Sequence, residues 1–324
     1  MCIRDRYSGS AADLDGYVTL KRRVWTHEVV TTSTQREADD RRDPTQFNER
    51  FVYRHDDRVV GAADVYSLPF SADDHRFGFM VIVDPDHRRR GIGTALHSHI
   101  EAGLDLGPVD GWESAAWERE PSGSAFLEGL GFEVASVHQM SELSLGSVDT
   151  AGFGGVIDAV ESSGVELVSL GRYLGAVPDA GRELYDLALE LSRDVPWYEE
   201  VAKPPLEVWR AEFLDSELIL KDAFTVALAD ERLIGQSALM RDAHDHTVLR
   251  TGLTGVRDSY RRRGIARAMK MRAIEQATSL PAVAEGLRIL TGNAAENPML
   301  DLNLELGFVK QPAWSIYTKD ARTG

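Results

Sequence analysis

The chain has 324 residues, 43% of them hydrophobic and 27% charged, which suits two soluble globular units with cores of their own. A formal net charge of −16 speaks against nucleic acid as the main partner, because phosphate binding needs a basic face. No apolar run reaches the roughly 20 residues of a membrane span, no basic-then-apolar leader opens the sequence, and the single cysteine, Cys2, excludes an internal disulfide, so a cytoplasmic protein is expected.

In chain order, the opening residues 1–6 fit nothing that follows and read as foreign to the fold, so that a first strand is expected to be missing. A helix is expected from Asp13 to Val30, a polar stretch to Pro44 and a helical start from there to Glu49. Strands are expected at 50–53 and 59–65 around the turn His55-Asp56-Asp57, and again at 77–83, 111–117 and 137–145, with a short helix over 122–130. The Gly- and Ser-rich stretch beginning at 146 marks a boundary: an N-terminal unit over 1–145, a linker over 146–164 and a C-terminal unit over 165–324. The second unit opens with a strand at 165–169, a helix at 181–192 and a further helix around 206–213.

The two units repeat one another. Arg88-Arg89-Arg90-Gly91-Ile92 returns as Arg261-Arg262-Arg263-Gly264-Ile265, the hairpin at Asp57 returns at Glu231, and the pair Gly131-Phe132 returns at Gly307-Phe308, at offsets of 173, 174 and 176 residues. Three anchors at nearly one offset imply duplication. Each arginine run stands between an apolar strand and a segment of helical periodicity, with Ile92, Ala95, Leu96 and Ile100 on one face and Ile265, Ala268, Met269 and Ala273 on its counterpart. A helix opening behind small residues presents unpaired backbone N–H groups and a positive dipole end, which is an anion site. The Gly-Lys-Ser/Thr ending of an ATP loop and the three spaced glycines of a dinucleotide fingerprint are absent.

Arg88, Gly91 and Gly93, and likewise Arg261, Gly264 and Ala266, resemble the acetyl-CoA pyrophosphate loop of the GNAT N-acetyltransferase superfamily. The resemblance implies an α+β fold of two tandem acyltransferase domains, each a mostly antiparallel sheet flanked by helices. It implies acetyl-CoA as co-substrate and a small-molecule primary amine as acceptor, with no metal, no membrane, no nucleic acid, and a monomer or homodimer as the assembly. It assigns the cofactor to Arg88, Arg89, Arg90, Gly91, Ile92, Gly93, Thr94, Ile82 and Val83 in one half. In the other it assigns Gly255, Val256, Arg261, Arg262, Arg263, Gly264, Ile265, Ala266, Asn293 and Asn297.

Where many members of the superfamily carry a tyrosine that protonates the leaving thiolate, this chain has Leu127 and Asn303. Leucine donates nothing and an amide only hydrogen-bonds. Catalysis is therefore expected in the C-terminal unit, with Asn303 and Asp194 as candidate catalytic residues and Trp197 and Tyr198 as acceptor-binding residues. The alternative is a non-catalytic or regulatory acetyl-CoA-binding protein. Glu113 reads as a solvated or ion-paired carboxylate, and the pairs His97/His99 and His244/His246 lack metal-site spacing.

Overall fold

The computed structural model describes residues 5–26, 29–42, 44–68, 71, 73, 75–195, 203–280 and 286–321. The N-terminal half runs β1 (Asp5–Arg6), α1 (Ala11–Val24), α2 (Thr32–Asp40), β2 (Asn48–His55), β3 (Arg58–Ser67), β4 (Arg76–Val83), α3 (Ile92–Gly103), β5 (Gly111–Trp117), α4 (Pro121–Gly129) and β6 (Glu133–Ser144). After α5 (Phe153–Glu161) the C-terminal half runs β7 (Val165–Ser169), α6 (Leu170–Ala176), α7 (Ala180–Ser192), α8 (Leu206–Trp209), β8 (Thr225–Ala229) and β9 (Arg232–Arg241). It continues with β10 (Val248–Val256), α9 (Ile265–Thr278), β11 (Arg288–Ala294), α10 (Met299–Glu305), β12 (Val309–Lys310) and β13 (Trp314–Asp320).

The first helix ends at Val24, short of the expected Val30, and an unexpected second helix follows. Ser10 accepts from the Asp13 N–H to start α1, and Thr31 and Thr34 form a reciprocal capping box that starts α2 inside the stretch read as merely polar. Residues 44–47 form turns rather than a helix, and β2 begins at Asn48. Helix α6, which the sequence reading did not anticipate, is capped by Ser169 at the end of β7. Residues 5 and 6, set aside above as foreign, pair with Phe51 and Val52 at the sheet edge, the place that β7 takes in the other half.

The hairpins agree to within a few degrees. Asp56 and Asp57 have φ of 47° and 62°, and Asp230 and Glu231 have 49° and 62°. Two consecutive left-handed residues make the tight turn whose twist matches that of the strands.

All the described strands lie in one sheet of order β1-β2-β3-β4-β5-β13-β6-β11-β10-β9-β8-β7, with β12 beside β6. The last strand of each repeat is exchanged. By the offset of 176 residues, β12 and β13 are the counterpart of β6. Yet β13 pairs with β5 of the first half, and β6 pairs with β11 of the second, from Ser144 opposite Arg288 to His138 opposite Ala294. The two exchanged strands also pair with each other, Trp314 opposite His138. Helices α3 and α4 cover one face of the first half, and α9, α10 and α5 the same face of the second, where Phe153, Ile157 and Val160 of α5 join the core. On the opposite face α1 packs on β3 and β4, and α7 on β9 and β10.

Candidate active site

The arginine loops fold alike because the same residues impose the same conformation. A single 3-10 turn follows β4 at Pro85–His87 and follows β10 at Asp258–Tyr260. The first arginine then folds back on the strand just left: Arg88 Nε donates to the Val83 carbonyl at 3.2 Å, and Arg261 Nε to that of Val256 at 3.0 Å. Arg89 and Arg262 stand in the left-handed region at φ 60° and 59°, and Gly91 and Gly264 at 79° and 75°. Left-handed residues alternating with right-handed ones aim successive N–H groups into one concavity, an anion nest at the start of α3 and α9. A Cβ on Gly91 would meet nothing within 4 Å, and one on Gly264 only a Val160 methyl at 3.8 Å, so both concavities are open. Gly93 packs under Phe126, Ile92 and Ile265 are buried anchors, and Thr94, Arg89, Arg90, Arg262 and Arg263 are exposed around the rim, with Ala266 half-buried. These features fit a diphosphate at both loops.

Each loop stands at the mouth of a parting between two parallel strands. β4 pairs with β5 only from Arg76 to Gly78, and β10 with β11 only from Val248 to Arg250. Beyond those rungs the strands diverge, leaving Ile82 and Val83, and Gly255 and Val256, on edges with no partner strand on that side among the described residues. A hydroxyl closes the apex of each: Ser114 Oγ donates to the Phe79 carbonyl at 2.8 Å, and Thr251 Oγ1 to Thr291 Oγ1 at 2.6 Å. The partings differ in one respect. β10 slips register against β9 between Thr251 and Thr254, so Gly252 and Leu253 bulge out of the ladder, whereas β4 runs along β3 in one register.

The asparagines of the second half have separate jobs. Asn297 Oδ1 accepts from the Met299 N–H at 2.9 Å and so starts α10. Asn303 is fully buried, donates to Asn293 Oδ1 at 2.8 Å, and keeps an Oδ1 with no partner among the described residues. Asn293 is only half-buried. Leu127 fills the place of Asn303, its carbonyl accepting from Phe132 as that of Asn303 accepts from Phe308.

Asp194 follows α7, its carboxylate pairs with Arg261 of the second arginine loop, and it is 51% exposed. It thus braces the loop's first arginine, which Asp258 also holds at 2.6 Å. Trp197 and Tyr198 lie outside the described residues.

Two features escaped the sequence reading. Facing the same side as α1, Arg50 of β2 donates to Asp64 at 2.5 Å and to Asp39 at 2.9 Å, and lies 3.9 Å over the Tyr17 ring. Tyr17 Oη in turn donates to Asp64 at 2.5 Å. Burial and the neighbouring Asp64 carboxylate both push the Tyr17 hydroxyl far up, so it stays a donor. This network fills the α1 side of the first half. The second feature is His138 in the middle of the sheet, whose imidazole is held below its ordinary pKa by burial and is therefore neutral at pH 7. Pairing across a sequence separation of more than 150 residues brings it beside Trp314, which no local pattern discloses.

The acetyltransferase (GNAT) family profile matches residues 15–105 and 182–308, more than half of the chain. No curated protein matches. Among solved structures, a tandem GNAT protein from the clavulanic acid biosynthesis pathway is 19% identical, with a TM-score of 0.71 over 96% of this chain and 95% of that one. A GCN5-related N-acetyltransferase from Sphaerobacter thermophilus is 16% identical, with a TM-score of 0.70 over 99% and 96%. A glucosamine N-acetyltransferase region of a fungal multi-domain β-N-acetylglucosaminidase is 13% identical, with a TM-score of 0.72 over 97% of this chain and 38% of that one. At these identities the likeness is one of fold.

Proposed function

We propose that this chain, which belongs to the GNAT acetyltransferase family, moves an acetyl group from acetyl-CoA to a primary amine of a small molecule, with the chemistry in its C-terminal half. The observation that carries the reading is the loop at Arg261–Gly264: an open anion nest at the mouth of parted strands, with a backbone bulge inside the parting. The nest and Arg262 and Arg263 hold the diphosphate, and the free edge of β10 at Gly255 and Val256 takes the pantetheine. The half-buried amide of Asn293, held in place by Asn303, hydrogen-bonds the thiol end. Asn303 cannot donate a proton to the leaving thiolate, so solvent does.

An acceptor amine has a pKa near 10 and must lose a proton to attack. Asp194 is engaged with Arg261, and the neutral imidazole of His138, on the strand paired with β11, is the alternative route through water. The N-terminal half is read as a nucleotide-binding scaffold without chemistry, since it has Leu127 at the thiolate position and the Arg50 network on the α1 side. The division into units 1–145 and 165–324 is retained as a duplication, on top of which the last strands are exchanged. The cytoplasm is its expected place, as a monomer or homodimer.

Calorimetric titration of acetyl-CoA tests this. Gly264→Glu puts a carboxylate into the nest and is expected to weaken binding to the second half by at least about 100-fold, or roughly 2.7 kcal/mol. Gly264→Ala carries the backbone strain alone and serves as the control. Unchanged affinity in Gly264→Glu would refute the assignment of the loop, and Gly91→Glu asks the same of the first half.

A further inference from the structure

Between α1 on β3–β4 and α7 on β9–β10 lie four strands, β5, β13, β6 and β11, whose shared face is the floor of the molecule's centre. The alternation of the strands fixes which residues stand on it. Trp112 and Ala116 point into the core under α3, and Tyr317 reaches α4 through Glu128, so Trp117 and Trp314 point the other way. Register carries this across the exchange: Trp314 lies opposite Trp117 and His138, His138 opposite Ala294, and Met140 opposite Gly292.

The Trp314 ring is 5.2 Å from that of His138 at 36°. It leans across β6, because a Cβ on Gly292 would stand 3.8 Å from Trp314 Nε1 and 2.9 Å from Met140 Sδ. Trp314 and His138 are half-exposed and Gly292 is exposed. The indole N–H finds no acceptor among the described residues. A large flat ring thus lies beside a glycine on β11, the strand that forms one wall of the C-terminal parting.

We infer that this floor is the acceptor subsite, and that the acceptor is a primary amine carrying an aromatic ring, which lies on Trp314 over Gly292 while its amine reaches into the parting of β10 and β11. The inference rests on the acetyl-transfer reading for the amine's direction, but not for the ring site. Ring-on-ring contact favours an aromatic group over an aliphatic one of equal size, and Trp314 and Gly292 both keep exposed surface for it beside Met140, whose Sδ already holds the place a Cβ on Gly292 would take. The formal net charge of −16 favours approach of the cationic form of such an amine to the chain.

Acetylation of 2-phenylethylamine and of hexylamine, apolar amines of similar size, is measured by thiol release. The wild-type chain is expected to favour 2-phenylethylamine by tenfold or more in kcat/KM. Trp314→Phe and Gly292→Val are expected to erode that preference through KM with acetyl-CoA affinity unchanged; the melting temperature is expected to hold in Trp314→Phe and to fall in Gly292→Val, whose Cβ would crowd Met140 Sδ at 2.9 Å. Equal use of both amines, or equal losses on both in the variants, would overturn the proposal. The ring site is also read without turnover: with 5-fluorotryptophan incorporated, 2-phenylethylamine is expected to shift the Trp314 fluorine resonance, identified by its loss in Trp314→Phe, and hexylamine is not. A shift in a chain that fails to bind acetyl-CoA would sink the acetyl-transfer reading and keep the ring site. Acetyl-CoA binding without the shift would sink the ring site alone.

Discussion

The two halves share a backbone down to the dihedral angles of their loops and hairpins, and they differ in what lies under the first helix. Tyr17, Arg50 and Asp64 of the N-terminal half have Leu191, Phe224 and Ala238 as counterparts by the 174-residue offset, and these are buried apolar side chains packed in one cluster. Ile82 packs under α1, whereas its counterpart Gly255 makes room for Leu191, whose side chain would lie 3.0 Å from a Cβ there. Even the ion pair that ties the first helix to the loop is reversed: Arg23 of α1 holds Asp84, and Glu190 of α7 holds Arg257 at 3.0 Å. The positions that make the nest kept their residues, and the positions under α1 and α7 diverged. On the reading proposed above, divergence there is what would separate a half that reacts from one that only binds.

The comparison can be broken hardest at Asp64. Asp64→Ala leaves the buried Arg50 guanidinium with Asp39 alone, and is expected to cost about 3–5 kcal/mol, read as a lower midpoint in chemical denaturation. Grafting the other half's packing, as Tyr17→Leu, Arg50→Phe and Asp64→Ala together, is expected to recover most of that loss. A triple variant no better than Asp64→Ala would show that the second half's solution does not transfer.

Next in size is the pair His97 and Lys270, which occupy equivalent places on α3 and α9. Lys270 is 5% exposed, and burial pushes its amine down to about 8. Its folded-state pKa lies below the unfolded value of 10.5, so the neutral form is favoured by folding, and the stability present above pH 10.5 is lost as pH falls toward 8. Lys270→Met is therefore expected to stabilise the chain at pH 7 by on the order of 3 kcal/mol and to abolish the alkaline rise in melting temperature. His97 is also pushed down by burial, so its contribution is lost on the acid side as pH falls below its unfolded value of 6.5.

Smaller still is the exchange Asn303→Leu, which gives the second half the first half's residue. It removes a buried unpartnered oxygen, so stability should hold or rise, while thiol release should fall about tenfold, or roughly 1.4 kcal/mol in the barrier. A fully active Asn303→Leu enzyme would place the chemistry elsewhere. The smallest effect is expected from Arg257→Ala: its pair with Glu190 is 39% and 40% exposed, and the melting temperature should register no more than about 0.5 kcal/mol.

What the sequence disclosed was what neighbouring residues decide. The Arg-Arg-Arg-Gly loops, the Asp-Asp and Asp-Glu turns and the Gly-Phe pairs each carry their geometry within five residues, and the duplication made every such motif count twice. The α2 capping box was equally local and was hidden only by the polarity of its stretch. The rest was hidden by distance along the chain. No periodicity shows that β13 leaves its own repeat for β5, that Arg50 meets Asp39 and Asp64, or that Trp314 lies beside His138. Asp194 reads in the sequence as a candidate catalytic residue, and its engagement with Arg261, 67 residues away in the chain, is a contact that no local pattern discloses.

The exchange of β6 and β13 has a kinetic meaning as well as a geometric one. Until β13 is made, β5 has a free edge, and β6 is the strand at hand to cover it, in the pairing an unexchanged repeat would adopt. The native neighbour of β5 lies roughly 200 residues downstream, so it arrives late and closes a longer loop than the adjacent β6 would. The half made first is thus the half completed last, and a chain stopped before residue 314 is expected to hold β6 beside β5 in the unexchanged pairing.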